Sequence, residues 1–224
     1  MNLHETLNEK LDELQVIFKR LIYCPITLMP KKRITLPDLT IELWVSRRKL
    51  PLVLRAHAIV VPTGPDLKMV FGIAKMVRDM GADVVQYEAN KVAPLAPGEA
   101  FVGAGARFRY KFTALAVIFD ESKRTSQQLI SKSMANAMLK LRERGAKSVV
   151  VPDMTENLLT QPNWITEEQR RETAAITARL MIEAIVGAGS NIKMVKIWVW
   201  DPDNAQFFID ELDQIKKRRQ AVTA

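Results

Sequence analysis

The chain of 224 residues has few of the side chains that bind metals or form crosslinks. Cys24 is its only cysteine, which excludes an internal disulfide, and two histidines with one cysteine do not supply the ligands of a usual zinc site. No apolar run reaches the roughly 18–20 residues of a membrane span. The N-terminal stretch MNLHETLNEKLDEL is acidic and amphipathic, unlike a secretory signal. These absences predict a cytoplasmic protein with no metal, cofactor or membrane partner.

Common catalytic motifs are also missing from the sequence. It contains no Gly-x-Ser-x-Gly elbow, Walker loop, HExxH or CxxC pattern. Each of these motifs places a nucleophile, a phosphate loop or a metal ligand at a fixed position. Their absence favours a protein that is not an enzyme, although enzymatic activity is left open.

Positive charge exceeds negative charge, with a net charge of +8 and a pI of about 9.6. A basic balance favours polyanionic partners such as nucleic acid or nucleotides. Basic residues cluster at 31–33, 47–49 and 216–219, and Arg107, Arg109 and Lys111 alternate as on one face of a strand. Nucleic acid is therefore a candidate partner, and the alternative is a basic but solvated surface.

Residues 3–22 are predicted to form an amphipathic helix. Its apolar positions recur every three or four residues and form a narrow seam, at Leu7, Leu11, Leu14, Phe18 and Leu21. Such a helix either packs on its own domain or pairs with a second subunit, and two heptads do not decide between these. Residues 24–34 contain two prolines and three basic residues, and they are predicted to be a linker.

From residue 41 onward, the hydrophobic pattern alternates between strands and helices. Strands are predicted at 41–45, 57–61, 83–87, 100–105, 114–120, 147–151 and 193–200, and helices at 67–80, 126–144, 165–186 and 204–217. Trp198 and Trp200 alternate on the last strand and are predicted to lie in the core. Near-continuous apolar strands between helices indicate a sheet covered on both faces. Ligands of such sheets bind at the carboxyl ends of the strands, here in the loops at 61–68, 120–124, 153–162 and 201–206.

The order of these elements and several short motifs resemble those of a macrodomain, the ADP-ribose-binding α/β/α fold. The resemblance runs from about residue 41 to residue 215. Its motifs are AHAIVVPTG (56–64), FGIAKMV (71–77), APGEA (96–100), VIFD (117–120), Ser148 with Pro152 and Pro162, and WVWD (198–201). The resemblance implies a three-layer fold with a mixed sheet and an N-terminal helical extension. It divides the chain into residues 1–34, a macrodomain-like domain at 35–218 and a tail at 219–224.

The positions that meet adenine and ribose in the family differ here. Macrodomains have an aspartate after the first strand that contacts adenine, whereas the corresponding stretch SRRKL (46–50) has no acid. Val61 and Gly64 replace the family's asparagine pair, which is tied to the distal ribose and to hydrolysis in catalytic members. The resemblance therefore implies a binding module that lacks the family's water-positioning arrangement.

The phosphate loops are degenerate. Val70 and Phe71 replace two of the three glycines that open the family's next helix, and only Gly72 remains. In the second loop, Asn157 and Thr160 stand where the family has glycine. Glycine lets backbone N–H groups approach an anion and permits positive φ, which Asn tolerates and β-branched Thr does not. The diphosphate cradle implied by the resemblance is therefore altered or filled.

Several residues remain candidates for contact with a nucleotide. Thr63 and Gly64 precede a predicted helix with Lys68 in its first turn, where partial positive charge suits an anion. Asp66 opposes this interpretation, since it serves equally well as a helix N-cap. The predicted ligand-binding residues, from all four loops and the two helix starts beside them, are Thr63, Gly64, Lys68, Gly72, Lys123, Arg124, Thr155, Asn157, Asn204 and Phe207.

Acidic residues also crowd the predicted crevice. Asp153 and Glu156 share it with Asp120 and Glu121. Close carboxylates can act as a general acid and base, which makes Asp153 and Glu156 weak catalytic candidates, although each is as readily a cap or a surface charge. We expect a non-catalytic module that binds ADP-ribose or a related nucleotide. The alternatives are an interaction protein that self-associates through residues 3–22 and contacts nucleic acid through its basic patches, and a hydrolase of ADP-ribose derivatives.

Overall fold

A computed structural model describes residues 29–46, 54–105, 110–159, 166–188 and 191–223. Several features of the sequence lie outside these residues: the predicted helix at 3–22, Cys24, the basic cluster at 47–49, Arg107, Arg109, Thr160, Pro162 and the side chain of Glu156. Within the described residues, no helix combines the length and apolarity needed to cross a membrane.

Strands and helices alternate along most of the chain. The strands are β1 (Lys32–Thr35), β2 (Thr40–Val45), β3 (Ala58–Thr63), β4 (Ala100–Ala104), β5 (Phe112–Val117), β6 (Ser148–Pro152) and β7 (Met194–Val199). The helices are α1 (Gly72–Asp79), α2 (Asp83–Ala89), α3 (Gln127–Glu143), α4 (Thr155–Leu159), α5 (Glu167–Gly187) and α6 (Pro202–Thr223).

The strands form one mixed sheet in the order β1-β2-β7-β6-β3-β5-β4. The five central strands run parallel to their neighbours, whereas β1 and β4 pair antiparallel at the two edges. The predicted α/β class with a mixed sheet is therefore confirmed. Because the central strands are parallel, all their carboxyl ends lie at one end of the sheet.

Helices cover both faces of the sheet, since each central strand is buried on both sides. On one face, alternate residues such as Val60 and Val149 pack with Met134 of α3 and Phe208 of α6. On the other face, Ile59, Val61 and Val150 pack with Val77 of α1 and Val85 of α2. The period-two alternation along β3 thus feeds two separate cores and creates three layers.

The predicted start of α5 is confirmed in detail. Thr166 Oγ1 accepts a hydrogen bond from the Gln169 N–H at 3.2 Å, and Gln169 Oε1 accepts one from the Thr166 N–H at 2.9 Å. This reciprocal pair is a capping box. Glu167 and Glu168 follow in the first turn, where negative charge suits the helix dipole.

Several local predictions are wrong, and the largest error concerns residues 83–87. The valine pair there predicts a strand, but the segment is helix α2, with Val85 and Ala89 buried one turn apart and Tyr87 exposed. Residues 32–34, predicted as the end of a linker, form the edge strand β1 together with Thr35.

The helix predicted at 67–80 begins only at Gly72, because Leu67 has a φ of +54° and is buried with Met69 in a loop. Asp66 therefore caps no helix; its Oδ1 accepts a hydrogen bond from the Lys68 N–H at 3.2 Å. Trp200, predicted as core, is 44% exposed.

Candidate functional site

The candidate site lies at a gap between β3 and β6, two strands at the middle of the sheet. β3 and β6 are neighbours, but they pair only at 58–59 with 149–150. By contrast, β3 pairs with β5 along its whole length, and so does β6 with β7. Near its carboxyl end, each of the two separating strands has a proline, Pro62 and Pro152, which has no N–H to donate.

The hydrogen bonds around these prolines show which way they face. The Thr63 carbonyl accepts from the Ile118 N–H at 3.1 Å, on the side of β5. The Asp153 N–H donates to the Trp198 carbonyl at 2.7 Å, on the side of β7. Because successive peptide groups of a strand point to opposite sides, the two proline nitrogens face each other's strand. The gap between β3 and β6 therefore lacks two of the donors that would close it.

A cleft of about 750 Å³ opens at this gap, over the carboxyl ends of the strands. Most of its walls are apolar, and its polar groups come from a few residues. The lining residues are Pro62, Phe71, Gly72, Ile73, Lys75, Met76, Asp79, Met80, Phe119, Pro152, Asp153, Asn157, Trp198 and Trp200. The strand order reverses here, since the chain continues from β3 toward one edge of the sheet and from β6 toward the other edge. Open α/β sheets bind ligands at such a point.

Helix α1 begins at the wall of this cleft. Gly72, its first residue, has a φ of +54°, a conformation that suits glycine. Phe71 is the N-cap and has no side-chain acceptor for the first-turn N–H groups, and no acidic residue stands in that turn. The start of α1 therefore presents uncapped donors and the positive end of a helix dipole beside the cleft.

The loop that leads into α1 is held by Gln86, a residue that sequence reasoning missed. Gln86 Oε1 accepts a hydrogen bond from the Met69 N–H at 2.6 Å, and its Nε2 donates to the Leu67 carbonyl at 3.2 Å. Gln86 is 7% exposed, and both loop residues are fully buried. The incorrect assignment of 83–87 to a strand hid this contact, since only a helix turns Gln86 toward the loop.

Asp153 joins the end of β6 to two helices. Its Oδ1 accepts a hydrogen bond from the Thr155 N–H at 2.8 Å, and its Oδ2 accepts one from Asn204 Nδ2 at 3.2 Å. Asp153 is 7% exposed and Asn204 6%. The carboxylate thus lies at the edge of the cleft with both oxygens engaged by the protein.

Aromatic rings form much of the cleft wall. Trp198 and Trp200 stand edge to face, with ring centroids 5.9 Å apart and planes at 69°. Phe71 is 58% exposed at the rim, and Trp200 is also open to solvent. Lys75 and Asp79 form an ion pair in the wall, at 2.7 Å. Both side chains are more than half exposed, so this pair contributes little to stability.

Comparison with known proteins identifies the fold around this cleft. The sequence model of the Macro domain family matches residues 60–167, which include β3, β6 and most of the cleft wall. The chain has a macrodomain-like fold. None of the curated proteins matches it.

Solved macrodomains share the architecture at low sequence identity. The Oceanobacillus iheyensis macrodomain with MES bound has a TM-score of 0.65 and 13% identity, and the match covers 84% of this chain and 97% of that one. The same macrodomain with ADP gives 0.63 and 14%, covering 84% and 97%. The Trypanosoma brucei macrodomain in complex with ADP-ribose gives 0.60 and 11%, covering 76% and 68%. At these identities the likeness concerns the fold.

The macrodomain brings some of the predicted ligand residues to the cleft. Gly72 and Asn157 both line it, and so does the weak catalytic candidate Asp153. Asn157 is half-buried, and its Nδ2 donates to the Met154 carbonyl at 3.3 Å. Gly72 is the first residue of α1, Asp153 follows β6 directly, and Asn157 lies in α4.

Other predicted residues make contacts elsewhere in the macrodomain. The Thr63 hydroxyl donates to the Ala116 carbonyl at 3.4 Å, inside the sheet. Lys68 Nζ is 3.5 Å from Asp66, on the solvent side of the loop that also contains Gly64.

On the next loop, Lys123 has a φ of +60°, and Arg124 Nε is 3.5 Å from Asp120. Thr155 is buried at the start of α4, and Phe207 packs against the core. Their roles in ligand binding stay predictions.

Among the described residues, no group of three or more His, Cys, Asp or Glu side chains is arranged to hold a metal ion. The polar groups of the cleft come from the start of α1, Asp153, Asn157 and the pair of Lys75 and Asp79. The aromatic walls were missed by sequence reasoning. The alternation of Trp198 and Trp200 was visible, but only the end of the strand at Val199 shows that the second ring leaves the core.

Proposed function

We propose that the macrodomain binds ADP-ribose or a related nucleotide in this cleft and does not catalyse a reaction there. The observation that carries the proposal is the cleft itself, about 750 Å³ at the gap between β3 and β6. Pockets for small ligands commonly span about 300–1,000 Å³, with mostly apolar walls and few polar groups. The relatives crystallised with ADP and ADP-ribose support a nucleotide as the ligand.

The diphosphate is proposed to lie at the start of α1. Gly72 has no side chain to obstruct an anion, and its neighbours leave the first-turn N–H groups uncapped. Helix N-termini of this kind bind phosphate through backbone donors and the dipole. Asn157 lines the same cleft. Backbone N–H groups at the start of α1 would then bind the diphosphate without the family's three glycines. This fits the degenerate sequence of both loops.

The base is proposed to stack on the exposed aromatic rings. Phe71 is 58% and Trp200 44% exposed, and both line the cleft. Aromatic rings prefer stacked or edge-to-face contacts that add about 0.5–1.5 kcal/mol beyond the area they bury. Phe71, which narrows the family's phosphate loop, would thus contribute contact area where the family has a glycine.

The hydrogen bonds of Asp153 support the absence of catalysis. Each carboxylate oxygen has two lone pairs, so a buried carboxylate that already serves two protein donors is held in place and has less capacity left for water or substrate. Both oxygens of this buried carboxylate already accept from Thr155 and Asn204. We therefore assign Asp153 a structural role. Cytoplasmic location and self-association through residues 3–22 stay predictions.

Isothermal titration calorimetry with ADP-ribose tests the proposal, with AMP and NAD as comparison ligands. We expect micromolar affinity for ADP-ribose, roughly −8 kcal/mol. Gly72→Val should weaken binding about tenfold, because a non-glycine residue at positive φ costs about 1–2 kcal/mol and shifts the start of α1. Gly187→Val, at the exposed end of α5 with no atom within 4 Å of the added Cβ, is the matched control.

Two results would count against the proposal in different ways. If none of the three ligands produced heat with the wild-type protein, the cleft would not be a nucleotide site. If ADP-ribose bound equally well to the wild-type protein and to Gly72→Val, the ligand would not contact the start of α1.

A further inference from the structure

The opposite end of the sheet from the cleft carries a row of basic residues. The row consists of Lys193, Lys147, His57 and Lys111, which lie at the amino ends of β7, β6, β3 and β5. A chain of hydrogen bonds connects them. The Lys193 N–H donates to the Lys147 carbonyl at 2.8 Å, the Lys147 N–H to His57 Nδ1 at 3.1 Å, and the Lys111 N–H to the His57 carbonyl at 2.7 Å. These four residues therefore occupy consecutive strands at the same level.

The spacing of the sheet fixes the spacing of the row. Neighbouring strands lie about 4.8 Å apart, so the backbones of Lys147 and Lys111 are roughly 10 Å apart and the whole row spans about 14 Å. All four side chains are exposed. Arg55, also exposed, precedes β3 on the same side. The three lysines and Arg55 thus place positive charge along this edge, and His57, whose Nδ1 accepts a hydrogen bond, contributes a neutral imidazole between them.

A groove of about 430 Å³ continues the row beyond Lys111. Lys91, Lys111 and Arg144 line it together with Phe101 and Phe112, two half-buried rings that pack against the cores on opposite faces of the sheet. Lys111 Nζ lies 5.3 Å from the centroid of the Phe112 ring. Positive charge and aromatic surface therefore meet in one groove, a combination that the linear sequence does not show.

Few acids offset these charges. Asp38 is 4.0 Å from Lys193 Nζ, in an ion pair in which both side chains are more than half exposed. Glu88 lines the groove, but its Oε2 accepts a hydrogen bond from the Ala104 N–H at 2.9 Å. Glu143 is exposed beside Arg144.

Within the described residues, no carboxylate lies within 4 Å of Lys111, Lys147, Arg55 or Arg144. The row and the groove therefore keep an excess of positive charge.

We propose that the row and the adjoining groove bind single-stranded nucleic acid. The row would follow the phosphates, and bases would reach the rings of Phe101 and Phe112 in the groove. Proteins that bind single strands combine these two elements, a positive track and aromatic surfaces for stacking. The site is at the amino ends of the strands, whereas the nucleotide cleft is at the carboxyl ends, so the two binding functions are independent.

Fluorescence anisotropy with a labelled oligothymidylate of about 20 nucleotides tests the proposal. The comparison ligands are an oligouridylate of the same length, a duplex and anionic vesicles. Binding to the full chain should weaken steeply with salt, by about 0.7 in log K per log salt for each phosphate contact to a single strand. Lys111→Gln with Lys147→Gln should reduce affinity about tenfold and make the salt slope shallower by about 1.4.

Lys132→Gln with Arg171→Gln is the control, because it removes the same charge from exposed positions of α3 and α5 outside the row, the groove and the basic clusters. We expect less than about a twofold change, since long-range effects are screened over a Debye length of about 10 Å. Equal losses in both variants would show that net charge, and not the row, binds the oligonucleotide. Tighter binding of the duplex would overturn the single-strand assignment, and binding to vesicles alone would overturn the proposal. ADP-ribose titration of the row variant should be unchanged, which keeps this test separate from that of the cleft.

Discussion

The hydrogen bonds of Asp153 allow a quantitative prediction about its role. Its carboxylate accepts from the Thr155 N–H at 2.8 Å and from Asn204 Nδ2 at 3.2 Å, and both side chains in the second bond are buried. In Asp153→Asn, an amide NH₂ replaces one oxygen and faces one of these donors. A buried donor left without an acceptor costs about 1–3 kcal/mol, and the lost bond to a charged group about 1.5–3 kcal/mol. We therefore expect the free energy of unfolding to fall by about 2–4 kcal/mol.

Exchanging the two side chains tests this explanation. Asn204→Asp places two buried carboxylates against each other and should also destabilise the protein. The double variant Asp153→Asn with Asn204→Asp again pairs a donor with an acceptor. Residues in direct contact commonly couple by about 0.5–3 kcal/mol, so we expect the double variant to be more stable than the sum of the single losses predicts.

Urea unfolding at neutral pH measures all four proteins, with the m-value as a check that the unfolded state has not changed. Asp79→Asn is the matched control, because it makes the same chemical change at a mostly exposed ion pair and should cost less than about 1 kcal/mol. The structural role would be refuted if Asp153→Asn left the free energy of unfolding unchanged. It would also be refuted if the losses in the two single variants simply added in the double variant. Asp153 would then return to the catalytic candidates.

Two further predictions concern buried polar side chains. Gln86→Ala should lower the free energy of unfolding by about 2–3 kcal/mol, because Met69 N–H and the Leu67 carbonyl lose their buried partner; unchanged stability in urea would contradict this. Burial raises the pKa of Glu211 above its usual 4.5, opposed by Arg218. The folded state therefore favours the protonated acid, and relative to Glu211→Gln the wild-type protein should gain stability in urea as pH falls from about 7 to about 5. An identical pH profile in both proteins would exclude that burial effect.

The sequence predicted the regions of the fold that depend on long apolar patterns. Strands such as β3 and β6 are continuous apolar runs, and α5 has its cap, its first-turn acids and its length in local sequence. The carboxyl-end crevice followed from the class of fold alone, and the position of Gly72 followed from the resemblance to macrodomains. These features require no knowledge of distant contacts.

The errors arose where distant contacts decide the local structure. Residues 83–87 are a helix that buries Val85 and places Gln86 against the loop before α1, where Gln86 bonds to the backbone of that loop. A helix pattern extends back to Leu67, but Leu67 is buried at a positive φ, and the helix begins only at Gly72. Similarly, the aromatic cleft wall combines residues from several elements, so no single stretch of sequence contains its signal.

The proline pair has a consequence for how ligands enter the cleft. The opening between β3 and β6 is set by Pro62 and Pro152, which cannot donate hydrogen bonds across it. A ligand therefore does not have to break a paired ladder between these strands, and the protein is preorganised before binding. The conformational entropy of holding the strands apart is lost during folding and not during binding. For the same reason, a substitution in the loops around the cleft does not by itself restore the missing donors of Pro62 and Pro152 between the two strands.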